Sequence, residues 1–280
     1  MSYLPKYQLH EYLAECGWEP DSAGVWQSSD DGQIFKAMPL TVSWSKGEYR
    51  GLTSAAALHV QRREQNVKGY ELSNRILIYD IETKRGPLSK KQTPEQGIEY
   101  AKGWEDYEGM GVSVIGAWDI ASNLPRVFCA DNLDAFQSLV DQYDLLVTFN
   151  GINFDNQVLK AAGLRIPDGK NFDLLHAIWQ AHGITPADPA RGLRFVPHVH
   201  GGYSLDACCS VNFGASKSGD GAMAPVWYQR GQWGKLIDYC LCDVMLTRRL
   251  FLKAASGPLT SPKTNEPIEL KMPEMVKVKK

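Results

Sequence analysis

The chain has 280 residues, 44% of them hydrophobic and 22% charged, which suits a globular protein with one sizeable core and a smaller appended unit. Its formal net charge of −2 provides no global basic field, which argues against packaging or scanning of long duplexes but not against an enzyme that grips a few nucleotides. The sequence contains no signal pattern and no apolar run of the roughly 18–20 residues that span a bilayer, so we expect a cytoplasmic protein.

Residues 1–70 are predicted to form a small, separate α+β unit. Its expected elements are a short helix over 7–16, a hairpin over 25–44 with its turn at 29–32, and a helix over 53–65. Three tryptophans lie near basic residues in this unit, namely Trp18, Trp26 and Trp44 beside Lys36, Lys46, Arg50, Arg62 and Arg63. These residues suit a surface that guides nucleic acid or a dimer surface, but the tryptophans also suit the unit's own core.

A larger α/β domain is predicted over residues 75–255. The pattern predicts strands at 75–83, 112–118 and 126–129, a helix at 133–143, a strand at 144–150, a helix at 155–162, a short strand at 172–175, and helices at 204–211 and 231–252. This order favours an α/β architecture with a mixed sheet. Residues 84–110 are interpreted as a loop that can include a helical turn, and the Pro- and Lys-containing residues 256–280 as a tail that lies on the surface or is partly mobile.

Two carboxylates, Asp80 and Glu82, follow four apolar or aromatic residues on the first strand of this domain. Residues two apart on a strand point to the same face, so these carboxylates would repel each other without a cation between them. The same spacing recurs at Asp106 and Glu108, but no buried strand precedes it there, and we interpret that pair as solvated loop acids. The strand context therefore favours a cation site at Asp80 and Glu82.

Two further segments place acids at the ends or faces of predicted elements. Asp155 follows a buried strand and Gly151, which permits a tight turn; it suits either a helix cap or the strand-end position where open α/β sheets bind ligands. Tyr239 and Asp243 lie four residues apart and therefore share one helix face. An exposed acid beside a packed tyrosine would explain that pair equally well in isolation.

The cysteines and histidines give no metal site by their spacing. None of the six cysteines forms the paired C-x-x-C spacing of a zinc site, so we expect reduced thiols and assign no role to Cys240 and Cys242. His198 and His200 have no further ligand at helical spacing.

Taken together, YDIET at 79–83, FNGINFD at 149–155 and YCLCDVMLT at 239–247 resemble the motifs of the DEDD superfamily of 3′–5′ exonucleases, in its tyrosine-bearing branch. The segment Tyr203–Asp206, followed by Gly214 and Lys217, looks like the one before the third motif in proofreading domains of family-B DNA polymerases. The resemblance covers about residues 75–255. It implies a ribonuclease H-like fold with a central five-stranded mixed sheet flanked by helices.

The resemblance also implies a role for each of these residues. Asp80 would bridge two divalent ions, Mg²⁺ or Mn²⁺, while Glu82 and Asp243 would hold the ion that activates water. Asp155 would reach the second ion, and Tyr239 would orient the attacking water, since a phenol with a reference pKa of about 10 is a poor base. Oxygen ligands suit these ions, and two ions can stabilise both oxygens that change bonds in phosphodiester hydrolysis.

We therefore expect a metal-dependent 3′–5′ exonuclease that acts on single-stranded 3′ ends, of DNA in preference to RNA, and releases nucleoside monophosphates. The alternatives are an RNA-trimming exoribonuclease, a structure-specific nuclease and a non-catalytic nucleic-acid-binding protein. Further candidate partners are replication or recombination proteins, and a second copy of the chain bound through the N-terminal unit. Candidate substrate contacts are Thr83, Asn150, Phe154, Tyr203 and Lys217, of which Phe154 also suits the core and Lys217 a solvated loop.

Overall fold

The computed structural model describes residues 75–88, 93–120, 124–130, 132–184, 201–214 and 221–276, and the backbone of 18–20 and 26–28. Strand β1 (Trp18–Pro20) pairs antiparallel with β2 (Trp26–Ser28). The strand at the start of the predicted hairpin therefore has a partner that precedes it in the chain. The rest of that hairpin and the helices predicted at 7–16 and 53–65 lie outside the described residues.

A five-stranded mixed sheet forms the centre of the larger domain. Its strands are β3 (Ile76–Thr83), β4 (Val112–Asp119), β5 (Leu124–Cys129), β6 (Leu145–Thr148) and β7 (Asn171–Asp173), in the spatial order β5-β4-β3-β6-β7. The pairs β3–β4 and β4–β5 are antiparallel, whereas β6 runs parallel to both β3 and β7. The predicted ribonuclease H-like architecture is confirmed.

Helices cover both faces of this sheet. They are α1 (Tyr107–Met110), α2 (Leu133–Gln142), α3 (Asp155–Ala161), α4 (Leu174–Ala181), α5 (Leu205–Phe213), α6 (Ala224–Gln229) and α7 (Trp233–Ser256). Helices α4 and α6 are absent from the sequence prediction. The short strand predicted over 172–175 ends at Asp173, because the Asp173 carboxylate accepts hydrogen bonds from the N–H groups of Leu175 and His176 and so begins α4. No helix within the described ranges is long and apolar enough to cross a membrane.

Strand β3 separates two hydrophobic clusters, one on each face of the sheet. Ile76 and Ile78 join a cluster with residues of α4, α5 and α7, whereas Leu77, Tyr79 and Ile81 join a cluster with residues of α2 and α3. Burial on both faces explains why the strand begins with an unbroken apolar run. Since alternate residues share a face, Asp80 and Glu82 continue the face of Ile76 and Ile78, which α7 covers.

The segment after α7 is anchored to the core at its start, where Leu259 and Ser261 are buried, whereas residues 262–276 are all half-buried or exposed and lie on the surface. Strands β8 (Leu259–Thr260) and β9 (Pro267–Ile268) pair antiparallel, and Leu259 is only 1% exposed. The amide of Asn212 bonds both the N–H and the carbonyl of Thr260. Four further apolar side chains pack against the cluster beneath α7, namely Ile268, Leu270, Met272 and Val276.

Candidate active site

A cavity of about 500 Å³ opens beside the C-terminal end of β3. Its lining includes residues of β3, of the start of α3 and of α7, together with residues of the intervening loops and of α5 and α6. All five residues to which the resemblance assigns a catalytic role line it, namely Asp80, Glu82, Asp155, Tyr239 and Asp243. The look-alike acids Asp106 and Glu108 do not line this cavity.

Helix α7 approaches the sheet closely at the level of Asp80. Gly116 of β4 is the partner of Asp80 in the sheet, and a Cβ atom at Gly116 would lie 3.0 Å from the Sγ of Cys240 and 3.2 Å from the Cγ2 of Val244. The Gly116 N–H donates to the Cys240 Sγ at 3.2 Å, and the Cys240 thiol donates to the Asp80 carbonyl oxygen at 3.5 Å. These contacts hold α7, and with it Tyr239 and Asp243, against the two strand carboxylates.

The role of Cys240 was not predicted from the sequence, although Gly116 gave a signal. A glycine inside a buried strand often marks the close approach of another backbone. Burial, together with the negative charges of Asp80 and Glu82, raises the pKa of the Cys240 thiol well above its usual value. The thiol therefore stays protonated and acts as a hydrogen-bond partner of the sheet.

Asp155 is tied to β3 between the two strand carboxylates. Its Oδ1 accepts a hydrogen bond from the Ile81 N–H at 3.2 Å, and its side chain is buried. The neighbouring Asn156 accepts a hydrogen bond of 2.5 Å from the buried Tyr79 hydroxyl. Phe154 occupies the N-cap position of α3, so Asp155 lies in the first turn and does not cap the helix.

The buried carboxylate of Asp173 shapes the turn that leads to Asp155. Its Oδ1 accepts from the Asn150 N–H at 2.9 Å and its Oδ2 from the Ile152 N–H at 3.0 Å, in addition to the two bonds that begin α4. Asn150 has a positive φ of 68°. A Cβ atom at Gly151 would lie 2.5 Å from the Thr148 side chain, so this turn requires glycine because of close packing.

Two asparagine side chains brace the same turn. The Asn153 Nδ2 donates to the Asn150 Oδ1 at 2.8 Å and lies 3.0 Å from the His176 Nε2. Burial lowers the pKa of His176, and the charge of Asp173 acts in the opposite direction. The neutral ring can accept at Nε2, so α4 supports the loop through both Asp173 and His176.

The donor set of the cavity fits a divalent cation. One carboxylate oxygen each from Asp80 and Glu82 and the Sγ of Cys240 lie within 4.8 Å of one another. Carboxylate oxygens are ligands that Mg²⁺ and Mn²⁺ prefer. A thiol is a soft donor, so the two carboxylates are the donors of this group that suit such an ion.

The remaining lining is apolar, neutral polar or negatively charged. Among the described lining residues there is no lysine or arginine, and Glu99 adds a fifth carboxylate. The apolar part of the wall includes Pro87, Ile98, Tyr100, Trp104, Phe149, Phe154, Leu205, Pro225 and Val226. An anionic substrate would therefore meet a repulsive site unless cations accompany it.

The predicted substrate contacts divide into three groups. Thr83, Asn150 and Phe154 line the cavity. Tyr203 does not: its side chain is 4% exposed, within the cluster beneath α7, and its ring lies 4.9 Å from that of His182. Hydrophobic burial thus takes Tyr203 away from the site, while its neighbour Ser204 lines the cavity. Lys217 lies outside the described residues.

The interpretation of Asp106 as a solvated loop acid is incomplete. Its side chain caps α1 by accepting from the Gly109 N–H at 3.1 Å, and it also accepts from the Lys102 N–H at 2.9 Å. The hydrogen bond from Lys102 is the main cause that lowers the Asp106 pKa. Asp106 therefore shapes a turn, and this turn carries Trp104, a lining residue that sequence reasoning missed.

The mixed sheet and the acidic cavity define a ribonuclease H-like domain. A family model described as the RNase_H superfamily matches residues 122–254, a range that includes Asp155, Tyr239 and Asp243. This match supports a nuclease role for the chain.

Among solved structures, the chain is similar to the family B DNA polymerase from the hyperthermophilic archaeon Pyrobaculum calidifontis, with 16% sequence identity and a TM-score of 0.39. The similarity covers 64% of this chain and 24% of the polymerase chain, so the matched part spans about a quarter of that protein. No curated protein matches the chain.

Proposed function

We propose that the chain is a metal-dependent 3′–5′ exonuclease that removes nucleoside monophosphates from single-stranded nucleic acid, DNA in preference to RNA. The observation that carries this proposal is the convergence of Asp80, Glu82, Asp155, Tyr239 and Asp243 on one cavity. These residues come from elements far apart in the chain. Packing of a core alone gives no reason to collect four carboxylates and a tyrosine at one place.

Asp80, Glu82, Asp155 and Asp243 are the residues that would hold two divalent ions. When bound, Mg²⁺ or Mn²⁺ would supply positive charge to the attacking water and to the leaving oxygen. No described lining residue is a lysine or an arginine, so the carboxylates would recruit the cations that a phosphodiester needs in order to enter. Asp155 is held by the Ile81 N–H, which keeps one of its oxygens close to β3.

Tyr239 would orient the attacking water in this proposal. It lies one helical turn before Asp243, and its ring packs edge-on against Trp227 with a centroid distance of 5.7 Å. A Cβ atom at Gly221 would lie only 3.3 Å from the Tyr239 hydroxyl, so this glycine leaves space beside the phenol. A phenol can direct a water by hydrogen bonding without taking its proton.

Two arguments support cleavage at a 3′ end instead of within a strand. A cavity of about 500 Å³ is of a size that takes a small molecule, which suits a terminal nucleotide. The 3′ polarity comes from the resemblance of the three motifs.

The test uses single-stranded DNA and RNA of one sequence, labelled at the 5′ end and incubated with Mg²⁺ or Mn²⁺. We expect a ladder of products that shorten from the 3′ end, faster for DNA, and no cleavage of circular single-stranded DNA. Asp80→Ala should abolish the ladder. Glu108→Gln is the matched control, because Glu108 is an exposed acid outside the cavity, and its ladder should be unchanged.

Three results would change the proposal. If neither strand is shortened, or if Asp80→Ala behaves like the unsubstituted protein, the enzyme proposal fails. If RNA is shortened faster than DNA, the exoribonuclease alternative replaces it. If the circular strand is cut, the chain is an endonuclease.

A further inference from the structure

Trp104 is a large aromatic side chain exposed at the rim of the acidic cavity. It is 66% exposed, which is more than any other large hydrophobic side chain in the described ranges. Its ring meets Phe154 edge-on, with a centroid distance of 6.1 Å and an interplanar angle of 68°. Both residues line the cavity. An exposed tryptophan is unfavourable in water, so its position at a functional cavity points to a ligand that covers it.

The turn that carries Trp104 is fixed by hydrogen bonds on both sides. The Asp106 carboxylate accepts from the Lys102 and Gly109 N–H groups, and the Asp106 N–H donates to the Gly103 carbonyl at 3.2 Å. Before the turn, the Ala101 N–H donates to the Gly86 carbonyl at 3.0 Å. The indole is therefore presented on a braced loop, and a ligand that stacks on it meets a largely ordered backbone.

Phe154 connects this exposed ring to the carboxylates. It immediately precedes Asp155, and its half-buried side chain packs against the cluster beneath α2 and α3. The Trp104–Phe154 pair thus lines the same cavity as Asp155. A strand whose terminal phosphodiester reaches the carboxylates would bring a neighbouring base to this pair.

We propose that Trp104, together with Phe154, forms a stacking platform for an unpaired base next to the scissile phosphodiester. The inference rests on the proposed function and adds to it a base contact by Trp104, which lies outside the three motifs. No described lining residue is a lysine or an arginine, and Arg85, which lies beside the lining residue Gly86, is paired with the Glu99 carboxylate. Every base, in contrast, has a π-face that stacks on an aromatic ring. Bases inside a duplex are already stacked, so the platform selects unpaired ones.

The binding test uses the full chain carrying Asp243→Asn, which prevents cleavage, in the presence of Mg²⁺. Fluorescence anisotropy measures binding of single strands whose two 3′-terminal nucleotides either carry bases or are abasic. Adding Trp104→Ala should weaken binding of the complete strand at least about fivefold, and Trp104→Phe should retain most of it. On the abasic strand the Trp104 variants should bind like their parent.

Ile184→Ala is the matched control, because Ile184 is another exposed apolar residue and does not line the cavity. It should bind both strands like the parent. Equal binding of the complete strand by Trp104→Ala and its parent, or equal losses on complete and abasic strands, would overturn the platform. Thermal unfolding of Trp104→Ala should occur at an unchanged temperature, since the side chain is largely exposed.

Failure of the platform can be separated from failure of the proposed function. In the cleavage-competent chain, Trp104→Ala should raise the KM for single strands more than it lowers kcat. Shortening of strands by both proteins with equal KM refutes the platform alone. If the unsubstituted chain shortens no strand, the exonuclease proposal fails and the platform fails with it.

Discussion

Adding one methyl group at Gly116 should disturb the geometry of the proposed site without touching any of its acids. The new Cβ atom would lie 3.0 Å from the Cys240 Sγ, 3.2 Å from the Val244 Cγ2 and 3.4 Å from the Leu241 Cδ2, so α7 must move by a few tenths of an ångström. Overpacking of this kind costs about 1–3 kcal/mol in the free energy of unfolding. A misplacement of about 1 Å can cost roughly 100-fold in rate, so the smaller shift in Gly116→Ala should lower kcat roughly three- to tenfold.

A double substitution tests whether the contact with Cys240 is the cause. Cys240→Ala removes the Sγ and its hydrogen bonds with the Gly116 N–H and the Asp80 carbonyl, at a cost of about 1 kcal/mol. Combined with Gly116→Ala, it also removes the closest clash, so the double variant should be more stable than the sum of the single effects by about 0.5–1.5 kcal/mol. Urea unfolding gives the free energies, and single-turnover cleavage gives the rates.

The control for this cycle is Gly169→Ala, because nothing lies within 4 Å of a Cβ atom built at Gly169. It should leave both stability and rate close to those of the unsubstituted chain. Strictly additive free energies in the Gly116/Cys240 cycle would contradict the argument that this contact sets the position of α7.

Three further predictions concern residues around the cavity. Asp173→Asn replaces a carboxylate that accepts four backbone hydrogen bonds with an amide that cannot accept them all. We therefore expect the free energy of unfolding, measured with urea, to fall by about 2–3 kcal/mol, and cation binding through Asp155 to weaken. An unchanged free energy of unfolding would contradict this. Tyr79→Phe removes the donor to the buried Asn156 and should cost about 1–2 kcal/mol, whereas a cost near zero would show that the bond is not formed in solution. Mn²⁺ should raise the unfolding temperature of the unsubstituted chain by mass action but not that of Asp80→Ala, and equal shifts would show that the ion binds elsewhere.

The sheet and the position of its first acids were predictable because they depend on local pattern. Strand β3 is buried on both faces, so it shows an apolar run, and Asp80 and Glu82 come directly after that run. Alternation then places both carboxylates on one face. Nothing beyond the neighbouring residues is needed for this part of the prediction.

The rest of the site depends on contacts between residues distant in sequence. Cys240 bonds Gly116 and the Asp80 carbonyl across separations of 124 and 160 residues; a glycine within a buried strand signals that something approaches closely, but not which residue does. Trp104 lies in a polar loop that gives no periodic signal, and only folding brings it to the cavity rim. Tyr203 was expected at the site from its motif, but its ring is buried in the core.

One error in the predicted elements has its origin in burial. Residues 174–179 of α4 are all buried, and the pattern of a short, fully buried apolar run does not distinguish a helix from a strand.

The most direct test of the central claim is a crystal structure of the chain with Mn²⁺ and a short single-stranded oligonucleotide. We predict two anomalous peaks about 3.5–4 Å apart, held by Asp80, Glu82, Asp155 and Asp243, with the 3′-terminal nucleotide in the cavity. Absence of Mn²⁺ from these four carboxylates, or a 5′ end bound in the cavity, would contradict the account.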